Sequence, residues 1–462
     1  MFKKSSLFLL GLSELACIVI GVKTHPLVIA LIPLSFIILW ILINNVGFTL
    51  MLLSFTAVIK GIIIESIPIF AYLDITAFIT IIIWFGLIKL LLEGEWSLVS
   101  DRRQPLILFI SFAIFIAFSL FYTPSPIYGL NKIFRFGFIG VTMFLTPIII
   151  IKTQNDSKKI LNYFKYSILI ILIGIIGQFI YFSISGKFAF LLGYYNRFSI
   201  PGANPIQVSR YLAIGATIMT VYIIRQSIFA NIYNLLILLT LLLGIIATGS
   251  RGPLVSIFLG ILFYALLFEK QHKKRIYIYG SITIIIALSL LFILPEIITK
   301  RFFDLTQGAV LLTPEGVKHV STVATRLGYW QMSLESWLSS LWNNILGLGA
   351  GGFSSLFIWR DWRWYPHNVF FEVLVEFGSM GITIFISFLI ISYKKISEGL
   401  IKGIFTEHSA VWVAVTLVMF FSAQFSGDIN DNRVLWMLIG ITIASTHVDK
   451  VNNKKLVSYN YG

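Results

Sequence analysis

The chain has 462 residues, of which 58% are hydrophobic and only 12% are charged, and its mean hydropathy is +0.90. Soluble domains carry about 25% charged residues, so this composition excludes an ordinary soluble protein. The formal net charge of +15 would suggest nucleic acid as a partner of a soluble protein, whereas in a membrane protein it reflects orientation and anionic substrates.

The N-terminal stretch MFKKSSLFLLGLSELACIVIGV has the composition of a signal peptide or of a first membrane helix. No small-residue cleavage site leads into a soluble domain, and further apolar runs follow at once, so we interpret it as a helix. The single cysteine, Cys17, lies inside this run, which excludes a disulfide framework and a cysteine metal site.

Apolar runs of about 16–24 residues recur along the whole chain, and each is long enough to cross a hydrocarbon core of ~30 Å. We predict an all-α integral membrane protein with about 12–14 transmembrane helices and one long outer-face loop that contains amphipathic helices. The predicted helices are 7–22, 26–43, 46–64, 74–92, 105–122, 133–151, 164–184, 206–224, 231–248, 253–268, 276–294, 369–392, 409–425 and 433–448.

The orientation follows from the basic hinge EKQHKKR at 269–275, which the positive-inside rule assigns to the cytoplasm. Counting helices outward from this hinge places both termini in the cytoplasm, together with the basic segments at 101–104, 152–159 and 392–395. The outer face then receives the segments 185–205, 248–252, 295–367 and 426–432.

This topology divides the chain into four parts. They are the N-terminal transmembrane helices (1–184), helices that carry outer-face arginine motifs (185–294), a long periplasmic or extracellular loop (295–367) and the C-terminal transmembrane helices (368–462). Within the long loop, RLGYWQMSLESWLSSLW (326–342) predicts an amphipathic helix that lies at the membrane interface. Its apolar stripe consists of Leu327, Trp330, Leu334, Leu338 and Leu341.

Lysine supplies most of the cytoplasmic charge, whereas arginine predominates on the outer face. The guanidinium fork binds phosphate through two parallel hydrogen bonds, so a phosphate or diphosphate at the outer leaflet explains such a set. The alternative is that single arginines anchor to lipid headgroups or pair with Asp304, Glu315, Asp361, Asp428 and Asp431. The outer-face arginines are Arg135, Arg197, Arg210, Arg251, Arg301, Arg326, Arg360, Arg363 and Arg433.

Three of these arginines have neighbours suited to an anion. Arg251, in TGSRGP, stands between glycines at a helix-to-helix turn, where a bulky anion can approach the backbone. Arg197 shares a loop with Asn204 just before a helix start, and Arg326 opens the amphipathic helix. The alternative for each arginine is a helix cap or a snorkelling side chain.

The segment YPHNVFFEVLVEFGSMG (365–381) places a histidine at the membrane boundary. Asn368 is a good N-cap, and it shares one helix stripe with Glu372 and Glu376. Acids that enter a bilayer are functional candidates by default. His367 is either a structural polar residue or, beside several arginines, a general base.

Later in this segment, Gly378 and Gly381 predict close helix packing. The histidines lack metal-ligand spacing, and the chain has no P-loop, so we predict chemistry without a metal or a cofactor.

His367-Asn368 followed by Gly378 and Gly381 resembles the H-N-x9-G-x-x-G signature of the bacterial O-antigen ligase and O-antigen polymerase superfamily. Three further pieces resemble that family in the same order: RFSIPGANPIQVSRYLA (197–213), TGSRGPLVSIFLG, and RLGYW followed by GLGAGGF (347–353). The match covers roughly residues 190–392, and all its pieces fall on the predicted outer face.

The resemblance implies a metal-independent glycosyltransferase of the GT-C class in the bacterial cytoplasmic (inner) membrane, acting on its periplasmic or outer face. Its donor would be a glycan on undecaprenyl diphosphate. His367 would deprotonate the acceptor hydroxyl, while Arg197, Arg251 and Arg326 would hold the diphosphate, with Arg210 near by. Asn204, Asn368 and Glu372 would complete the substrate-binding set.

The family divides by acceptor: a second lipid-linked repeat unit for a polymerase, lipid A-core for a ligase, and a pilin-type protein in some relatives. We favour a polymerase, because the chain is somewhat long for a ligase, with a chain-length regulator protein as a further candidate partner. A secondary transporter or flippase of lipid-linked glycans is the alternative from another class, but the sequence shows neither internal repeats nor arginines in mid-helix, apart from Arg135 near one helix end. Trp359, Trp362 and Trp364 either stack on sugars or form an interfacial aromatic belt.

Overall fold

The structure, a computed structural model, describes residues 26–95, 100–185, 199–200, 202–225, 232–268, 273–293, 299, 308–313, 316–357, 361–400 and 406–460. Within these ranges the chain is almost entirely helical. Eight helices are long and apolar enough to cross a membrane, and five shorter stretches of apolar helix accompany them.

The helices follow one another in an order set by the apolar runs. Their bounds are α1 Pro26–Asn44, α2 Val46–Ser66, α3 Ile75–Leu92, α4 Ser100–Phe118, α5 Pro126–Phe134, α6 Val141–Ile150, α7 Gln154–Ile184, α8 Pro205–Arg225, α9 Ile232–Ala247, α10 Arg251–Leu267, α11 Lys273–Ile293, α12 Thr322–Leu338, α13 Leu341–Leu346, α14 Val369–Leu400, α15 Glu407–Ser422 and α16 Arg433–Asn460. Short 3-10 turns cover Pro68–Tyr72, Ser119–Phe121 and Gly352–Leu356, and a π-turn over Arg135–Gly140 joins α5 to α6.

Every predicted helix from 26–43 onward overlaps an observed helix, and most ends agree to within a few residues. Three helices are longer than predicted, because α7 begins at Gln154 and not at 164, and α14 and α16 extend past 392 and 448 to Leu400 and Asn460. The helix predicted at 133–151 begins earlier, at Pro126, because the π-turn continues α5 into α6 without a break. Proline suits this first position, since its missing N–H would have no partner there. The predicted helix 7–22 lies outside the described residues.

Local capping explains several of these starts. The Asp74 side chain accepts from the N–H groups of Thr76 and Ala77 and starts α3. Thr153 and Asp156 form a reciprocal capping box at α7. Polar residues in the breaks between apolar runs therefore fix where the helices begin.

Two of the membrane spans, those of α8 and α16, are largely enclosed by the rest of the protein. The spans of α8 and α16 are 89% and 83% buried inside the protein, whereas the span of α4 is only 28% buried. Inner helices that are enclosed by their neighbours and outer helices with one uncovered side are typical of a membrane bundle.

The long predicted loop contains a β-hairpin and two helices. Strands β1 Gly308–Thr313 and β2 Gly316–Ser321 pair antiparallel, with Thr313 opposite Gly316, so an all-α description holds only apart from this hairpin. The amphipathic helix predicted over 326–342 corresponds to α12, which starts earlier and ends at Leu338. Leu341 begins the separate helix α13, because the Ser340 side chain caps the N–H of Asn343.

Polar contacts gather the basic segments at one end of the bundle. Arg102 donates to the carbonyl oxygens of Ile148 and Ile151 at 2.7 and 2.8 Å. The Gln154 amide donates to Asp449 at 3.0 Å, near the far end of α16. The basic segments at 101–104 and 152–159 therefore share one side of the bundle, as predicted, and the compartment that this side faces stays a prediction.

Candidate functional site

The opposite end of the bundle holds a cavity of about 250 Å³ where three helices begin. Its walls are the first turns of α8, α10 and α12, together with the end of α15 and the turn that follows. We call this cavity the arginine pocket, because Arg210, Arg251 and Arg326 all line it. Helix starts offer unpaired N–H groups and a positive dipole end, so guanidinium groups and helix termini here favour an anion.

Arg210 forms the fixed part of the pocket. Its side chain is 2% exposed, and its Nε donates to Ser422 Oγ at 3.0 Å. Its Nη2 donates to the carbonyl oxygens of Ser422 and Ser426 at 3.1 and 2.5 Å. Arg210 therefore joins α8 to the end of α15 and holds its guanidinium in one place.

Arg251 and Arg326 are half-buried in the same walls. Arg251 is the first residue of α10, after a turn in which Gly249 has φ +62°. Only glycine takes this left-handed conformation without strain, so the glycine of TGSRG sets the start of α10 against the pocket. The sequence predicted that these arginines would act together, and the fold brings them to one cavity.

The remaining loop residues of this set are further from the pocket. Asn204 is exposed and caps α8, where its Oδ1 accepts from the N–H of Ile206 at 2.9 Å. Ile206 lines the pocket and Asn204 does not. Arg197 lies outside the described residues, so its predicted role stays a prediction.

His367 stands beside the arginine pocket and is connected to it through α12. Within α12, Arg326 lines the pocket, and Tyr329, about one turn later, stacks on the His367 imidazole with centroids 6.4 Å apart. The indole of Trp330 donates to the carbonyl oxygen of Pro366 at 3.1 Å. One helix thus sets the position of the histidine relative to the arginines.

The backbone and the ring of His367 are both unusual. Its φ is +61°, which makes it the one non-glycine residue with positive φ in the described part of the chain. Such a conformation is strained and persists only where the surroundings enforce it. Its Nδ1 is buried without a hydrogen-bond partner among the described residues, so none of their groups fixes the protonation of this nitrogen.

Burial, and then the positive charge of Arg326, lower the pKa of His367 from 6.5 to about 4. The imidazole is therefore neutral at physiological pH, which is the form that accepts a proton. An anion beside Arg326 would offset the second cause, so substrate binding would make the ring more basic.

Asn368 has the capping role that the sequence predicts. Its Oδ1 accepts from the N–H groups of Phe370 and Phe371 at 2.9 and 3.2 Å, and its amide donates to the carbonyl of Gln424 at 3.2 Å. These bonds start α14 and tie that start to the chain just after α15.

Glu372 and Glu376 point into the protein, away from the pocket. Lys132 Nζ lies 2.5 Å from Glu372 Oε1 and 2.5 Å from Glu376 Oε2, and all three side chains are 0% exposed. The stripe predicted from their spacing exists and faces Lys132 in α5. The predicted substrate-binding role of Glu372 stays a prediction.

Sequence reasoning missed Lys132 as a partner, because it assigned this lysine to the loop before a helix at 133. The available signals were a single basic residue at the outer end of an apolar helix and two acids on one stripe of another helix. The 244-residue separation between Lys132 and Glu376 leaves no local pattern that could pair them.

The arginines and acids near the last helix are also paired. Arg363 Nη2 lies 2.6 Å from Asp431 Oδ1, and Arg363 Nε lies 3.6 Å from Asp428 Oδ2. Asp361 accepts from the N–H groups of Ile127 and Tyr128 at 2.9 and 2.7 Å and caps α5. For Arg363, the alternative of an ion pair with Asp428 and Asp431 is therefore the correct one.

The tryptophans of the 359–364 segment have different environments. Trp362 is 69% exposed, whereas Trp364 is half-buried, with its ring 6.1 Å from Tyr329 and 6.3 Å from Phe357. Trp364 therefore belongs to an aromatic cluster, and Trp362 presents a free face. Trp359 lies outside the described residues.

The fold and the site together define a multi-span membrane protein with a pocket lined by three arginines beside a half-buried histidine at one end of its helix bundle. Residues 236–386 match the protein-family model described as O-antigen ligase. This segment therefore carries a domain of the O-antigen ligase and polymerase superfamily, and the resemblance drawn from the motifs is confirmed. The matched segment includes Arg251, Arg326 and His367. No curated protein matches the chain.

Proposed function

We propose that this protein is a membrane glycosyltransferase that moves a glycan from a polyprenyl-diphosphate donor to a hydroxyl acceptor. The single observation that carries the proposal is the convergence of Arg210, Arg251 and Arg326 on one cavity beside His367. A diphosphate is an anion of the size and charge that such a pocket favours. The family match supports a donor and an acceptor of this kind.

In the proposed reaction, the arginine pocket binds the diphosphate and stabilises it as it leaves the anomeric carbon. His367 takes the proton of the acceptor hydroxyl, whose oxygen attacks that carbon from the opposite face, which inverts its configuration. The proton passes to the imidazole, the new bond forms between sugar and acceptor, and the lipid diphosphate departs as the leaving group. This chain's residues supply charge and a base.

An apolar cavity of about 400 Å³ between α10, α14, α15 and α16 supports a lipid-linked donor. Phe421 lines this cavity and the next residue, Ser422, lines the arginine pocket. The two cavities therefore follow one another along α15, the first suited to hydrocarbon and the second to an anion.

We favour a polymerase that joins lipid-linked repeat units into a surface polysaccharide at the outer face of the cytoplasmic membrane. The second candidate is a ligase with lipid A-core as acceptor, which the name of the matching family favours. The two candidates differ only in the acceptor that reaches His367. The genes around this one distinguish them, because a neighbouring gene for a chain-length regulator favours a polymerase. Absence of lipid A in the organism excludes the ligase.

The test is the variant His367→Ala, with His408→Gln at the opposite end of the bundle as its matched control. We expect polymer formation in a complemented deletion strain to fall by roughly 10²–10⁴-fold, the usual contribution of a general base. The control should keep the wild-type level, and both variants should insert normally into the membrane. Wild-type surface glycan with His367→Ala would remove the catalytic assignment.

A further inference from the structure

Lys132 is the shared partner of two glutamate carboxyl groups in a place where water cannot reach them. All three side chains of the cluster formed by Lys132, Glu372 and Glu376 are 0% exposed. Taking ions out of water generally costs as much as their attraction returns, so a buried ion cluster is poorly explained by stability. Such clusters are better explained by the geometry that they impose.

The cluster reaches three separate segments around His367. The backbone N–H of Gly351 donates to Glu376 Oε2 at 3.0 Å, and the N–H of Ile429 donates to Glu372 Oε1 at 3.3 Å. The two glutamates themselves lie in the first turns of α14, directly after the histidine. Lys132 thus holds together α5, the loop at 347–351 and the start of α14.

The segment before His367 is fixed to the same surroundings. Arg363 pairs with Asp428 and Asp431, and the Tyr128 hydroxyl donates to Asp428 Oδ2 at 3.2 Å. Tyr128 lies one turn before Lys132 in α5. Both flanks of the histidine are therefore anchored to α5 and to the turn that contains Asp428.

This anchoring meets a need that the backbone of His367 creates. A φ of +61° is strained for histidine, and the chain keeps it only if both neighbours are held. Trp330 and Asn368 hold the residues on either side of it, and Asn368 caps α14, the helix whose first turns the ion cluster fixes.

We propose that Lys132 is a positioning residue, which fixes the first turns of α14 through Glu372 and Glu376 and thereby holds His367 in its strained conformation. The proposal rests on the function proposed for His367 above. The Lys132 side chain is 0% exposed and does not line the arginine pocket, so it acts through the glutamates.

The test compares the single variant Lys132→Met with the compensated variant Lys132→Met/Glu372→Gln/Glu376→Gln in full-length protein in lipid nanodiscs. The single variant leaves buried carboxylates unpaired and tests stability. The compensated variant removes all three charges at nearly constant shape, and we expect it to keep the wild-type melting temperature. Polymer formation in the complemented strain should nevertheless fall.

The readout specific to positioning is the rate at which diethyl pyrocarbonate modifies His367, followed by mass spectrometry. In the compensated variant we expect this rate to rise by roughly tenfold, as for a residue released from local packing. His408, at the other end of the bundle, should react at its wild-type rate in the same molecules.

Three outcomes would overturn the proposal. They are wild-type reactivity of His367 in a folded compensated variant, wild-type polymer formation in that variant where His367→Ala abolishes it, and loss of folding in both variants, which would assign the cluster to stability alone. The modification rate does not depend on catalysis, so the positioning role is tested even if His367→Ala retains activity and the proposed function fails.

Discussion

The backbone N–H of Gly349 donates a hydrogen bond to the carbonyl oxygen of Glu376 across 2.7 Å, and the N–H of Leu348 donates to the carbonyl of Val375 at 2.9 Å. In an unbroken helix these carbonyls would accept from the residues four positions later. Gly378, with φ 60° and ψ −162°, breaks α14 at this point. The loop Gly347–Gly351 therefore supplies the donors that the break removes.

Gly378 makes the close helix approach that the sequence predicts, and it also breaks α14. The close approach is made by the end of α13 and the glycine loop, since an added Cβ at Gly378 would lie 2.4 Å from the carbonyl oxygen of Ile345. Gly381, one turn later, packs against Phe377 and Phe115.

Gly378→Ala should therefore destabilise the protein by about 1–3 kcal/mol, because alanine is strained at positive φ and its methyl group meets backbone. Gly177→Ala in α7 is the matched control: an added Cβ there meets nothing within 4 Å, and alanine favours a helix by about 0.5–1 kcal/mol. Thermal unfolding in detergent measures both. Equal melting temperatures for the two variants would contradict this account of the break.

Much of this architecture could be predicted from local sequence. The apolar runs locate the helices because each must satisfy its own backbone in lipid. The cap formed by Asn368 is predictable because its side-chain oxygen accepts from N–H groups only two or three residues later in the chain. The gathering of Arg210, Arg251 and Arg326 was predictable only as a shared side of the membrane.

The contacts that complete the site are not local, and the sequence could not supply them. Lys132 meets Glu376 from a distant helix, and Asp361 caps α5 across 233 residues. Their charges are visible in the sequence, but the choice of partner depends on how the helices pack. The break at Gly378 was missed for a related reason, since its donors come from another segment.

The two described tryptophans of the aromatic segment should respond differently to truncation. Trp364→Ala removes a ring from the cluster with Tyr329 and Phe357, so we expect a loss of about 3 kcal/mol or more in unfolding free energy, within the range for large core aromatics. Trp362→Ala should leave stability within about 0.5 kcal/mol, as is usual for exposed sites.

If Trp362 stacks on a glycan, its alanine variant should bind the soluble repeat-unit oligosaccharide several-fold more weakly at wild-type stability, since a ring stacked on a ligand contributes about 1 kcal/mol. Titration calorimetry with that oligosaccharide measures this, with Trp342→Ala as the control, since Trp342 is also exposed. Equal affinity in both variants would favour an interfacial aromatic belt.

Arg326 should control both the affinity for the donor and the pH dependence of the reaction. His367 accepts a proton only when neutral, so the rate falls as pH decreases through its pKa of about 4. Arg326→Gln removes the second of the causes that lower this pKa. The acid limb of the pH–rate profile should therefore move to higher pH, while burial still keeps the pKa of His367 below its ordinary value near 6.5.

Arg326→Lys separates charge from shape. Lysine keeps the positive charge, so the acid limb should stay where it is, but it cannot form the bidentate fork, and KM for the diphosphate donor should rise by about tenfold. Initial rates in nanodiscs across the acid range measure both variants, with Arg275→Lys at the other end of the bundle as the control. An unmoved limb in Arg326→Gln would separate Arg326 from His367, and a wild-type KM in Arg326→Lys would remove the arginine from the diphosphate site.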